Sequence, residues 1–181
     1  MEKIKVSEPI SGVPQKYESE IQKKIYNILS SLEIDFKRVE NDPAVTMEDC
    51  KAIDEAFGIE TIKTILLTNR QKTKFYLLGM PADKPFVTKD FGAALQIPRV
   101  SFADTDLLNS LLKTPRGAAT PLSIVEDEEN KVSLILDKEL SEREYLVCTD
   151  GTLHGFICLK TEDLINKFFP YSNHNLQLIE L

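Results

Sequence analysis

The period of the apolar positions changes several times along the chain, and each change predicts an element. From Tyr17 to Leu32, Ile21, Ile25, Ile28, Leu29 and Leu32 fall on one stripe of a helical repeat, while Lys23, Lys24 and Asn27 lie off it. An amphipathic first helix is expected there. Asp35 to Val39 reads as a short strand and Asn41-Asp42-Pro43 as a turn, because proline drives the residue before it out of the helical region. Thr46 and Asp49 have the spacing of a capping box with Asp in place of Glu, and they predict a helix that stops at Gly58.

Strand character then dominates. Ile62 to Thr68 and Lys74 to Leu78 are rich in Ile, Leu, Phe and Tyr, and the polar run Asn69 to Thr73 between them predicts a hairpin. Thr88 to Leu95 and Asp104 to Leu112 read as helices opened by a Thr and an Asp cap, followed by a loop from Thr114 to Pro121. Leu122 to Val125, Val132 to Leu136, Tyr145 to Thr149 and Phe156 to Leu159 are strand candidates, with turns at Asp127 to Asn130 and at Asp150-Gly151. Thr161 to Phe168 predicts a closing helix and Leu176 to Ile179 a last strand. The expected fold is α+β, a single domain over residues 1–181 with a mixed, largely antiparallel curved sheet flanked by helices.

Composition narrows the chemistry. Three cysteines, Cys50, Cys148 and Cys158, are an odd number without Cys-x-x-Cys spacing, which points to reduced, buried thiols rather than a disulfide framework or zinc knuckle. Met1 to Ile10 carries Glu2, Lys3 and Lys5 with no apolar run behind them, so a cytoplasmic protein without a signal peptide or membrane span is expected. The net charge of −7 argues against a general nucleic-acid binder, but between Lys63 and Arg116 nine basic residues face four acidic ones. A basic middle between acidic flanks suits an enzyme that grips one RNA end. Gly58 to Thr64 misses the phosphate-binding Gly-x4-Gly-Lys-Thr loop because Ile62 stands in place of its second glycine and the spacing from Gly58 is one residue short, and no Gly-x-Ser-x-Gly elbow exists. His154 and His174 have no metal-ligand spacing, and His174 reads as a surface residue. Neither a metal nor a cofactor is expected.

Three stretches together resemble the YbaK/ProX family of prolyl-tRNA editing domains: Ile62-Lys63-Thr64-Ile65-Leu66-Leu67, then Phe75 to Leu78 with Pro81-Ala82-Asp83-Lys84, then Gly117-Ala118-Ala119-Thr120-Pro121 as a Gly-x-x-x-Pro motif. Asp42-Pro43-Ala44-Val45-Thr46 and the first helix are similar to the branch that removes alanine from proline tRNA, although that branch usually has a histidine where Asp42 stands. The string Thr149-Asp150-Gly151-Thr152-Leu153-His154 is instead similar to the editing domain inserted in bacterial prolyl-tRNA synthetases. The resemblance implies a trans-acting aminoacyl-tRNA deacylase for Ala-tRNA(Pro), or for Cys-tRNA(Pro) or another small amino acid. A silent tRNA- or protein-binding module with the same fold is the reading from another class. Aminoacylated tRNA is the implied partner, with prolyl-tRNA synthetase as a second.

By itself, Lys63 inside an apolar strand reads as an edge lysine snorkelling to solvent; the resemblance makes it the catalytic anchor of the tRNA end. The 117–121 loop by itself is an ordinary Gly-Pro connection. With the resemblance, Gly117 and Ala118 become catalytic through main-chain N–H groups suited to an oxyanion, and Ala119, Thr120 and Pro121 become substrate-binding. His154 joins the catalytic set on the same ground, and Thr64, Asp150 and Thr152 the substrate-binding set.

Overall fold

Hydrogen bonding at each end explains where the elements begin. In the computed structural model, which describes residues 2–181, the first helix α1 runs over Glu20–Ser31, because Ser19 accepts a bond from the Gln22 N–H at 3.2 Å and so caps it. Strand β1 (Phe36–Glu40) follows. Thr46 and Asp49 make the reciprocal bonds expected of a capping box, but the residues between them form a turn, and α2 (Cys50–Phe57) starts only after it and ends at Gly58. The hairpin forms as β2 (Lys63–Asn69) and β3 (Phe75–Met80). Then come α3 (Thr88–Leu95), β4 (Val100–Phe102) and α4 (Thr105–Leu112).

The expected strand at Leu122 to Val125 is corrected to a 3-10 helix, Pro121–Glu126. Thr120 accepts the Leu122 N–H through its hydroxyl, Pro121 fixes the first helical position, and burial on every side leaves no alternation to read. Beyond it lie β5 (Val132–Asp137), α5 (Lys138–Ser141), β6 (Tyr145–Thr149) and β7 (Gly155–Lys160). The closing helical segment joins Thr161–Asp163, a π-helical turn Leu164–Phe168 and Phe169–Tyr171, before β8 (Leu176–Ile179).

The strands form two sheets. The larger has the order β4-β2-β3-β5-β8, with β2 antiparallel to β3 and β4, and β5 parallel to β3 and β8. The smaller, β1-β7-β6, is antiparallel throughout and meets the larger where the Ile62 N–H donates to the Val147 carbonyl at 2.9 Å. One apolar core takes Leu66, Leu77 and Leu134 from the larger sheet, Leu146 and Ile157 from the smaller, and Ile25 and Leu29 from α1. It therefore locks the two sheets together. Among the described residues no helix is long and apolar enough to cross a membrane.

Cys148 pairs with Ile157 and Cys158 with Val147, so the two thiols point to opposite faces of the small sheet and cannot share a ligand. His174, expected at the surface, is only 5% exposed. Its Nε2 lies 2.8 Å from Asp127, whose carboxylate also takes the Lys131 and Val132 N–H groups, so the ring ties the C-terminal stretch to the exit of the 3-10 helix.

Candidate active site

The open edge of β2 is where the chemistry gathers. Strand β4 covers that edge only from Leu67 onward, and the small sheet touches it only before Lys63. Leu66 accepts the Ala103 N–H and Ile62 donates to Val147, both at 2.9 Å and both on this edge. Main-chain groups alternate sides along a strand, so Thr64, midway between them, turns its N–H and C=O to the same uncovered edge. A cleft of about 540 Å³ lies against it, walled by the turn at 45–47, the link at 102–105 and the loop at 116–119. A larger hollow of about 620 Å³ beside α3 is lined by none of the expected site residues.

Lys63, Thr64, Gly117 and Ala119 all line this cleft. The Lys63 ammonium donates to the Lys84 carbonyl at 2.6 Å, which fixes its position and leaves two of its three protons for another acceptor. Burial lowers its pKa from the ordinary 10.5, and Asp83 opposes the shift. Arg116 adds an exposed cation that forms no ion pair among the described residues. Thr61, 2% exposed, also lines the cleft, and its hydroxyl has no hydrogen-bond partner among the described residues. The hydroxyl itself is shut off from solvent, and Asn41, Thr114 and Thr161 each hold a buried polar side-chain atom in the same condition. Sequence reasoning missed Thr61 and Arg116, and only the positive charge of the middle segment signalled the second.

The glycine of the loop is required by its surroundings. Gly117 has φ +90°, and a Cβ there would sit 3.2 Å from Val45 Cα and from a Leu153 methyl. Thr149 donates its hydroxyl to the Ala118 carbonyl at 2.8 Å and braces the loop from β6. Ala118 itself corrects the expectation: its side chain is fully buried and its N–H is spent on the Pro115 carbonyl at 3.1 Å. The N–H groups of Gly117 and Ala119, two residues that line the cleft, have no partner among the described residues. Thr120 and Pro121, expected at the substrate, are buried and serve instead as cap and first position of the 3-10 helix.

The second half of the expected site is not brought to the cleft. Asp150 and Thr152 are buried behind it, where the Asp150 carboxylate accepts from Gln22 at 2.9 Å, Tyr26 at 3.0 Å, the Thr152 hydroxyl at 2.7 Å and the Thr152 N–H at 3.1 Å. Gly155 must lack a side chain because a Cβ would lie 2.0 Å from that carboxylate. His154 turns outward, its side chain 43% exposed, with Nδ1 3.0 Å from Glu18. This knot shapes the turn that carries Leu153 against Gly117.

Burial outweighs those four bonds and raises the Asp150 pKa above the ordinary 3.8. A carboxyl raised in the fold favours folding while it is protonated and costs stability once it ionises. The stability of the natural protein relative to Asp150→Asn is therefore expected to fall as pH rises from below 3.8 through the raised value. Urea unfolding across that interval checks it; a difference that grows with pH would contradict it.

Comparison with known proteins bears on this geometry. The family model for the aminoacyl-tRNA editing domain matches residues 41–167, which takes in β2, the 116–119 loop and, of the buried knot, Asp150 and Thr152 but not Gln22 and Tyr26. The chain belongs to the aminoacyl-tRNA editing domain family. The resemblance read from Lys63 and the Gly117 to Pro121 motif holds at this level. This editing domain is 27% identical over 153 residues to the prolyl-tRNA editing protein ProX of Acetoanaerobium sticklandii, covering 84% of this chain and 93% of that protein. It is 26% identical to the prolyl-tRNA synthetase associated domain-containing protein 1 of Danio rerio, covering 86% and 84%. The fold is shared with the crystal structure of a candidate trans-editing enzyme for prolyl tRNA synthetase, at a TM-score of 0.63 and 12% identity, covering 91% of this chain and 99% of that one.

Proposed function

We propose that the chain is a trans-acting deacylase that hydrolyses the ester of mischarged proline tRNA, with Ala-tRNA(Pro) as its leading substrate and prolyl-tRNA synthetase as the enzyme whose errors it removes. The observation that carries this is the meeting of Lys63, Thr64, Gly117 and Ala119 on one cleft at an open sheet edge. Support for proline tRNA comes from the ProX relative, which is named for editing it.

The reaction needs little more than orientation, because the aminoacyl ester is already activated and the neighbouring ribose hydroxyl stands beside it. Lys63 holds the terminal phosphate or ribose with its free protons. Water adds to the ester carbonyl, and the N–H groups of Gly117 and Ala119 take the oxyanion. Collapse releases the amino acid and returns the ribose hydroxyl. Cys50 lines the cleft, but burial pushes its thiol up to about 12, so it stays protonated and is no nucleophile at neutral pH. Selectivity for alanine requires that the wall around Ile62 and Phe156, both buried and lining the cleft, accept a methyl side chain and exclude the larger proline ring.

Rates of amino-acid release from Ala-, Cys- and Pro-tRNA(Pro) test the reading. Alanine is expected fastest, cysteine slower and proline at the buffer rate. Fastest release from Cys-tRNA(Pro) would transfer the assignment to cysteine, and no release above buffer from any of the three would end it.

A further inference from the structure

Phe102 is the most exposed large apolar residue of the described chain, at 61%, and it lines the mouth of the cleft rather than its floor. An isolated exposed phenylalanine on a flexible loop would carry no meaning. This one ends β4 and is held edge-on by Phe86, with ring centroids 5.5 Å apart at 68°. Phe86 in turn leans on the fully buried Phe91 at 5.9 Å, and Phe91 on Tyr76 at 5.8 Å. The ladder of rings runs from the core of the large sheet to the surface and leaves the outermost ring rigid and bare. Arg116, a cation without an ion pair among the described residues, lines the same cleft. Rigid aromatic faces beside unpaired cations are the means by which proteins hold an unstacked base and its phosphate.

We propose that Phe102 is the stacking platform for an unpaired nucleobase at the 3′ end of the tRNA. The inference rests on reading the cleft as an editing site and adds which part of the substrate is held at its mouth. The amino acid goes inward, past Lys63 toward Thr61 and Ile62. The base stays outside, against the exposed ring, with Arg116 near its phosphate. Stacking of this kind binds substrate and transition state alike, so it shows in KM and not in kcat.

The test uses the full chain and an acceptor-stem minihelix with 2-aminopurine as its terminal base and alanine joined to the 3′ ribose through a non-hydrolysable amide. In parallel, KM and kcat are measured on Ala-tRNA(Pro). The natural protein is expected to quench the 2-aminopurine. Phe102→Ala and Phe102→Leu should abolish the quenching and raise both Kd and KM about 10- to 100-fold, with kcat within about twofold, as one lost base–aromatic stack implies. Phe102→Trp should restore both. Quenching and KM unchanged in Phe102→Ala would overturn the proposal and assign the ring to something other than RNA, and a Leu variant as good as Trp would reduce it to apolar packing. Failure of the editing reading looks different: the natural protein would still quench the probe but release no amino acid.

Discussion

Replacing Lys63 with alanine is expected to lower kcat/KM for the mischarged tRNA about 100-fold while leaving the fold intact. The lysine is half-buried and its one bond to the protein, at 2.6 Å to the Lys84 carbonyl, holds the ammonium rather than the sheet. Hydrogen bonds to a charged group contribute roughly 1.5–3 kcal/mol, and the upper figure corresponds to about two orders of magnitude in rate. Lys63→Arg is not expected to rescue it, because the planar guanidinium cannot reproduce a compact ammonium tethered to one carbonyl. Single-turnover release of alanine and a thermal melt of each variant check this. An alanine variant with normal rates would remove Lys63 from the site, and one that fails to melt cooperatively would make its role structural.

Gly117→Ala is expected to cost about 10²- to 10³-fold in kcat, the loss seen when one oxyanion donor is displaced. Two separate obstacles meet the added methyl. The φ of +90° is strained for any side chain, by roughly 1–3 kcal/mol, and the methyl presses on the main chain of Val45 at 3.2 Å as well as on Leu153. Trimming Leu153 to alanine in the same chain relieves only one of these contacts, so the double variant is expected to stay slow. Stopped-flow hydrolysis measures both. Full activity in the double variant would show that packing on Leu153, and not the aim of the Gly117 and Ala119 amides, sets the rate.

What could be read from the chain follows the range of the interactions involved. The hairpin of β2 and β3 was legible because its apolar runs, its polar turn and its pairing all lie within twenty residues. The capping pair Thr46 and Asp49 was legible for the same reason, and the three-residue strand β4 was not, since its only support is a distant edge of β2. The run at 121–126 misled because it is buried all round and its helix is decided by Pro121 and the Thr120 hydroxyl. At the site, Lys63 and Gly117 were singled out by their place in motifs that resemble an editing family, because a lone charge in an apolar strand and a Gly-Pro bend are by themselves ordinary structure. Asp150 and His154 were grouped with them by adjacency in a motif, whereas the turn sends one side chain inward to Tyr26 and the other outward to Glu18. Thr61 and Phe102 are made conspicuous only by the packing around them: an unmet hydroxyl in one case, a bare ring in the other.

Amide chemical shifts of the natural protein, followed while a minihelix ending in non-hydrolysable 3′-alanylamino-adenosine is added, report the location of the chemistry without relying on any variant. The largest changes are predicted at Thr64, Gly117 and Ala119, which line the cleft, with little change at Ala118, already bonded to Pro115. Shifts confined to the outer surface around α3 and the closing helix, with Thr64 and Gly117 unmoved, would contradict the assignment of this cleft as the place where the ester is bound and cut.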